Sequence, residues 1–249
     1  MRSRALLATF LVLVVTAALT LVGCLAAGSG PSHPKEKKVI GYVTYWDQQR
    51  GFDTVRRQLG LFDQVSPFWY SLDAAGRIVL TDDDNTTVDR ATVRFLQQRG
   101  AKVVPTVTNL RNGDWDPAVV RTVLHDPARL RAHVDNIARL ATTEGYDGID
   151  LDYEDLRAAD RDAYSAFLRE LSSALHARGK LLTSSVHPKT SDAGDDERNV
   201  AQDYRAIGAA VDQVRVMTLR LPLGDLPARP DRAGALGRGR DRLDGHPDP

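Results

Sequence analysis

The stretch from Asp147 to Glu154 reads D-G-I-D-L-D-Y-E and places four carboxylates within eight residues. Side chains two apart on a strand point to the same side, so Asp150, Asp152 and Glu154 would share one face of a strand. Neighbouring carboxylates would then be about 6.6 Å apart. Three such groups in a confined site cannot all ionise cheaply, so at least one should hold a proton near neutral pH. The pattern predicts acid–base chemistry.

The order of these acids along the strand suggests a separate role for each. Glu154 comes last and lies nearest the carboxyl end of the strand, where barrel enzymes carry their chemistry, so it is the candidate proton donor to a leaving oxygen. Asp152, one pleat deeper, is placed to share a proton or to orient a substrate amide. A calcium loop or a solvated strand edge is the alternative, but Gly148 comes too early for such a loop and the spacers are apolar.

Short apolar runs alternate with amphipathic stretches around this motif. The predicted strands are 39–46, 65–72, 102–109, 148–154, 181–187 and 213–218. The predicted helices are 54–59, 88–99, 127–143, 158–178 and 199–210. Alternating strand–helix units predict an α/β fold with a parallel sheet. No glycine-rich phosphate loop follows the first strand, which favours a TIM (β/α)8-type barrel over a doubly wound sheet.

The barrel is expected to be incomplete at its C-terminal side. Eight units typically use about 250 residues, whereas we find about six units within 39–218, the predicted barrel domain. Prolines and glycines interrupt the segment 219–249, which contains no aromatic residue. We interpret this irregular tail as out-of-frame sequence in place of the last two units; a disordered tail is the alternative.

The N-terminus has the pattern of an exported lipoprotein. Arg2 and Arg4 precede an apolar run over 5–22, and the single cysteine, Cys24, follows a lipobox-like segment. We predict a signal peptide over 1–23, lipid attachment at Cys24 and a flexible tether over 24–38. The protein would then be anchored to the lipid bilayer on the outer face of the bacterial cell membrane. A secreted protein with an ordinary signal, or an uncut membrane anchor, is the alternative.

Composition excludes several classes of partner. The chain has 249 residues, of which 33 are Lys or Arg and 33 are Asp or Glu, so no basic field exists to attract nucleic acid. One cysteine cannot form an internal disulfide, and 42% hydrophobic residues suffice for a core. The six histidines are scattered, so we expect neither a metal site nor a cofactor. We expect a monomer.

The motif D-G-x-D-x-D-x-E at the end of the fourth predicted strand resembles the signature of glycoside hydrolase family 18, the chitinase-like enzymes. All eight positions match, and a looser resemblance extends over 39–218 through G-Y-V-T-Y-W at 41–46, F-W-Y-S at 68–71 and V-R-V-M-T at 214–218. Within the family the chain looks most like the spore-cortex and peptidoglycan-acting branch.

The resemblance implies a glycosidase that cleaves β-linked, N-acetylglucosamine-containing glycan, either chitin or peptidoglycan. Such enzymes retain configuration without a protein nucleophile. Glu154 would protonate the glycosidic oxygen and later activate water, and Asp152 would hold the N–H of the acetamido group whose oxygen attacks the anomeric carbon. Asp150 would tune Asp152, and Asp147 would support the strand.

Further side chains at the predicted strand ends are candidates for substrate binding. Aromatic rings at the ends of the first two strands could stack on sugar faces, although core packing competes. Asn109 and His187, after the third and fifth strands, could line the same mouth. The predicted substrate-binding residues are Tyr42, Trp46, Trp69, Tyr70, Asn109 and His187.

The chain departs from the family pattern in its sixth strand. In the family this strand continues from Met into a tyrosine-bearing segment, and the eighth strand supplies a tryptophan. Here Met217-Thr218 is followed by Leu219-Arg220. An inactive or non-catalytic sugar-binding protein on the same fold is therefore the alternative function.

Overall fold

The computed structural model describes residues 37–81 and 86–218. The predicted signal peptide, the lipid-attachment residue Cys24, nearly all of the tether and the tail 219–249 lie outside the described residues. The strands are β1 Ile40–Val43, β2 Gln64–Leu72, β3 Ile78–Leu80, β4 Lys102–Val103, β5 Thr106–Thr108, β6 Leu110–Arg111, β7 Asp114–Trp115, β8 Gly148–Asp152, β9 Leu181–Val186 and β10 Gln213–Val216. The α-helices are α1 Gln48–Arg57, α2 Arg90–Gln97, α3 Pro117–Leu124, α4 Pro127–Thr143, α5 Arg161–His176, α6 Glu197–Ala201 and α7 Tyr204–Ala210.

The main sheet has the order β1-β2-β5-β8-β9-β10, and neighbouring strands along this path are parallel. β4 pairs with the start of β2 and belongs to the same barrel strand as β5. The sheet is curled. This curvature brings β10 close to β2, so that Arg215 of β10 donates to Ser66 of β2 across the concave side at 2.9 Å. These six barrel strands form an open half-barrel, which confirms the predicted incomplete TIM-type fold.

Local sequence signals explain where the long helices begin. Asp126 accepts hydrogen bonds from the backbone N–H groups of Ala128 and Arg129, and Pro127 occupies the first turn, where its missing N–H costs nothing. The predicted helix 127–143 is thereby confirmed. Asp116 and Pro117 repeat the same arrangement at the start of α3, a helix that we did not predict.

The strand β8 is buried along its whole length and divides its side chains between two environments. Ile149 and Leu151 face outward into the hydrophobic core, where each contributes about 1.5–3 kcal/mol of stabilisation. Asp150 faces the concave side of the sheet. Gly148 allows close approach to β9, since a Cβ atom there would lie 2.4 Å from the backbone oxygen of Leu181.

Several element boundaries differ from the sequence prediction. The predicted strand 39–46 ends at Val43 and is followed by a 3-10 helix at Tyr45–Asp47, and the strand 148–154 ends at Asp152. The β6–β7 hairpin was not predicted, although Asn112 and Gly113 form its turn with φ of 51° and 89°. Within 37–81 and 86–218, no helix is long and apolar enough to cross a membrane.

Candidate active site

Asp150 lies at the centre of a polar network on the concave side of the half-barrel. Its side chain is fully buried and accepts hydrogen bonds from Thr106 at 3.2 Å and from Thr183 at 2.6 Å. The guanidinium of Arg215 forms an ion pair with it at 3.0 Å. Both carboxylate oxygens of Asp150 are therefore satisfied by neighbouring strands.

Asp152 is also buried, but no such partners of its side chain lie within 37–81 and 86–218. Its Oδ1 atom has no hydrogen-bond partner within the described part of the chain. Burial, together with the negative charges of Glu154 and Asp150, raises the pKa of Asp152 well above its usual value, and Arg215 opposes this shift only weakly. The surroundings of Asp152 therefore favour its protonated form more than those of an exposed carboxyl would.

Glu154 lies just beyond β8 and is held through its backbone. Asn109 donates from Nδ2 to the carbonyl oxygen of Glu154 and accepts from its N–H at Oδ1, both at 2.9 Å. The next residue, Asp155, adopts the left-handed conformation with φ of 57° and turns the chain away. Partial burial, with a smaller contribution from Asp155, raises the pKa of Glu154 to about 7. A carboxyl with this pKa can both give and take a proton near neutral pH.

His187 approaches Glu154 from the end of β9. Its Nε2 atom lies 3.6 Å from Oε2 of Glu154, and within the described residues this nitrogen has no hydrogen-bond partner. The backbone N–H of His187 donates to Gln202 at 2.8 Å, and the hydroxyl of Tyr204 donates to its carbonyl oxygen. Burial lowers the pKa of His187, so the ring is neutral near neutral pH. His187 thus lies at the predicted mouth, beside the acid.

Asp147 and Asn109 have supporting positions. Oδ2 of Asp147 accepts from the backbone N–H of Val103 at 2.8 Å and from Gln97 at 2.9 Å, and so ties β8 to β4 and α2. Asn109 was predicted to contact substrate, but its amide is fully buried and used on both sides by Glu154. It is therefore a positioning residue for the acid.

Two of the predicted sugar-stacking residues belong to the core, and these predictions are corrected. Trp69 is 1% exposed and donates from Nε1 to Gln48 at 2.9 Å, and Tyr70 is 6% exposed with its hydroxyl 2.7 Å from that of Tyr146. The register between β2 and β5 shifts between Phe68 and Tyr70, so that Tyr70 pairs with the outward-facing Val107. This irregularity moves Tyr70 away from the face it would take in a regular strand.

The aromatic residues of β1 and the segment after it remain accessible. Trp46 is 64% exposed and packs edge-on against Tyr45, with ring centroids 5.0 Å apart. Tyr45 in turn stacks on Phe68 at 5.8 Å. Tyr42 is half-exposed, and its hydroxyl accepts a hydrogen bond from Arg215 at 3.0 Å. Sugar binding by Tyr42 and Trp46 remains a prediction.

Arg215 is the site residue that we did not single out from the sequence. The sequence pattern that could have indicated it is the alternation Q-V-R-V over 213–216. This alternation places Gln213 and Arg215 on one face of the strand and the two valines on the other. Among the residues of known position, no cluster of three His, Cys, Asp or Glu side chains could hold a metal ion.

The comparisons with known proteins agree with this geometry. The profile of Glycosyl hydrolases family 18 matches residues 38–222, and the chain belongs to this family. The predicted resemblance is thereby confirmed.

Two relatives in Bacillus subtilis each match more than half of this chain. YdhD, whose name describes it as a sporulation-specific glycosylase, is 37% identical over 153 residues, which are 61% of this chain and 35% of that protein. The cortical fragment-lytic enzyme is 33% identical over 138 residues, or 55% of this chain and 32% of that protein. This chain thus matches about a third of the length of these relatives.

Solved structures show the same fold. A chitinase from Chromobacterium violaceum is 25% identical and superposes with a TM-score of 0.65, covering 73% of this chain and 56% of the chitinase. The half-barrel is therefore a large part of a chitinase-type TIM barrel.

Proposed function

We propose that this chain hydrolyses glycosidic bonds of β-linked, N-acetylglucosamine-containing glycan, of the chitin or peptidoglycan type, by substrate-assisted retaining catalysis. The observation that carries the proposal is the pairing of Glu154, whose pKa is raised to about 7, with the buried Asp152 one pleat below it, whose pKa is also raised and whose Oδ1 has no partner among the described residues. Relatives named as cortical fragment-lytic enzyme and chitinase support the substrate class.

In the first step, protonated Glu154 gives its proton to the glycosidic oxygen while the bond from that oxygen to the anomeric carbon breaks. The carbonyl oxygen of the substrate's own acetamido group attacks the same carbon and closes an oxazolinium ring. Asp152 offers Oδ1 as an acceptor for the acetamido N–H and thereby orients the attacking oxygen. No other nucleophile is required.

In the second step, Glu154 is a carboxylate and takes a proton from water. The oxygen of that water attacks the anomeric carbon, the bond to the acetamido oxygen breaks, and the acetamido group is restored. Two displacements on opposite faces retain the configuration of the sugar. The second step returns Glu154 to its protonated form.

The experiment compares two substrates, an N-acetylglucosamine oligosaccharide and its de-N-acetylated counterpart, on the full chain. We expect turnover of the first and none of the second, because only the first carries the internal nucleophile. Glu154→Gln should abolish turnover, whereas Glu170→Gln, the same change at an exposed position of α5, should not. Equal turnover of both substrates would refute the substrate-assisted mechanism.

The alternative function is a sugar-binding protein without catalysis. It shares the half-barrel and the exposed Trp46, but it has no need for an acid with a raised pKa. Binding of the oligosaccharide in calorimetry, without any cleavage by wild-type protein, would favour this alternative.

We also propose that the protein is exported and attached to the membrane through Cys24, as its N-terminal sequence indicates. The wild-type protein should incorporate a labelled fatty acid and partition with membranes. Cys24→Ser should remove the label. A labelled Cys24→Ser variant would contradict lipid attachment at this residue.

A further inference from the structure

Arg215 connects four strands of the half-barrel through one nitrogen atom. Its Nη1 atom is 3.0 Å from Asp150 on β8, 3.0 Å from the hydroxyl of Tyr42 on β1 and 2.9 Å from the hydroxyl of Ser66 on β2. The guanidinium also lies 5.4 Å from the ring centre of Tyr42. A side chain of β10 thus reaches across the concave side to the carboxylates.

This ion pair is buried on both sides, since the side chain of Arg215 is 9% exposed and that of Asp150 is fully buried. Two further guanidinium nitrogens, Nε and Nη2, are buried without a hydrogen-bond partner in the described part of the chain. A buried ion pair with unsatisfied donors contributes little net stability, because desolvation offsets the attraction. Its direct contact with a carboxylate of the motif points to an electrostatic role in the site.

The charges around Asp150 show what that role is. The titratable groups that act on Asp150 or its neighbour Asp152 are Tyr42 from β1, Asp152 and Glu154 from β8 and its end, Tyr164 from α5 and Arg215 from β10. Among these groups Arg215 is the cation, and the carboxylate that it contacts is that of Asp150. Among the described residues, Asp152 has neither an ion-pair partner nor a hydrogen bond to Oδ1.

We propose that Arg215 is a positioning residue that keeps Asp150 as the charged member of the Asp150–Asp152 pair and so leaves the proton on Asp152. The inference rests on the proposed function only for the use made of Asp152 in catalysis. A neutral Asp152 presents an acceptor to the acetamido group without placing a second anion beside Glu154. Glu154 can then become a carboxylate in the second step at a smaller electrostatic cost.

The location of the proton can be measured without turnover, through the infrared absorption of protonated carboxyl groups in the full chain near neutral pH. Asp152→Asn should remove one protonated-carboxyl signal from wild-type protein. Arg215→Met should add one such signal, and Arg215→Met/Asp150→Asn should remove the added signal. Arg215→Lys, which keeps the charge, and Arg205→Met, at an exposed position of α7, should resemble wild type.

Stability provides a second measurement if Arg215→Met folds poorly. Removing one partner of a buried pair leaves a carboxyl that must take up a proton or stay charged without a partner, and either lowers the free energy of unfolding near neutral pH, whereas removing both partners avoids this cost. The midpoint of urea unfolding should therefore be higher in Arg215→Met/Asp150→Asn than in Arg215→Met alone.

Three results would overturn the inference: an unchanged signal in Asp152→Asn, a folded Arg215→Met without an added signal, or a double variant no more stable than Arg215→Met. Failure of the proposed function is distinguishable, because it would show as absent turnover with the infrared pattern intact.

Discussion

Asn109→Ala tests whether the acid is positioned through its backbone. The variant removes two hydrogen bonds of 2.9 Å, one to the N–H and one to the carbonyl oxygen of Glu154. Each group left without its partner costs about 1–2 kcal/mol, so the free energy of unfolding should fall by about 2–4 kcal/mol. Glu154 lies beyond the last residue of β8, where the regular pairing of the sheet no longer holds it.

The same variant should reduce activity more than binding. A displacement of a reacting group by about 1 Å can reduce the rate about 100-fold. We therefore expect kcat to fall by about this factor on an N-acetylglucosamine oligosaccharide, with a smaller change in KM. Urea unfolding and steady-state kinetics measure the two effects separately.

Asn136→Ala is the matched control, since Asn136 lies on α4 and bonds to Arg139 at the surface. It should change neither the stability nor kcat by much. If Asn109→Ala lost stability but kept kcat, the pair of hydrogen bonds would be structural only. If it lost neither, the reasoning from this geometry would be refuted.

Three further predictions concern other features of the site and fold. Because only protonated Glu154 can donate a proton, kcat/KM should fall tenfold per pH unit above the pKa of about 7. Arg198→Met should move this decrease in kcat/KM to higher pH, since Arg198 lowers the pKa of Glu154. An unshifted pH profile in Arg198→Met would contradict this. Gly148→Ala should lower the free energy of unfolding by about 1–3 kcal/mol, because the new methyl would clash with the backbone of β9; wild-type stability in urea would contradict it. Trp69→Ala should lower the free energy of unfolding in urea by about 3–5 kcal/mol and leave the affinity for oligosaccharide unchanged. Trp46→Ala should weaken oligosaccharide binding in calorimetry and leave the stability unchanged. The opposite pattern would show that Trp69, and not Trp46, binds the sugar.

The parts of the fold that could be predicted are those whose signals are local. The helix Pro127–Thr143 has its cap, its first-turn proline and its apolar spacing within its own sequence. The helix Pro117–Leu124 has the same cap and proline but is only 8 residues long, too short for a clear apolar period. The ends of the strands were harder to predict. Tyr45 and Trp46, for example, have high strand propensity but lie in a 3-10 helix.

The carboxylate motif could be predicted because alternation along one strand decides which side chains share a face. The surroundings of the motif could not, because they depend on contacts between distant segments. Asn109 contacts Glu154 across 45 residues, and Arg215 contacts Ser66 across 149. Tyr70 was misplaced because a shift of register between β2 and β5 leaves no mark in the local sequence.

These long-range contacts give the three carboxylates of β8 and its end different environments. Asp150 has two hydroxyl donors and a guanidinium, whereas Asp152 is buried and its Oδ1 has no partner in the part of the chain that the structure describes. Glu154 has partial burial and a neutral histidine, His187, at 3.6 Å. Identical spacing along one strand would otherwise give three similar acids. The neighbouring strands therefore give acids of identical spacing different partners and different degrees of burial, which the motif alone does not specify.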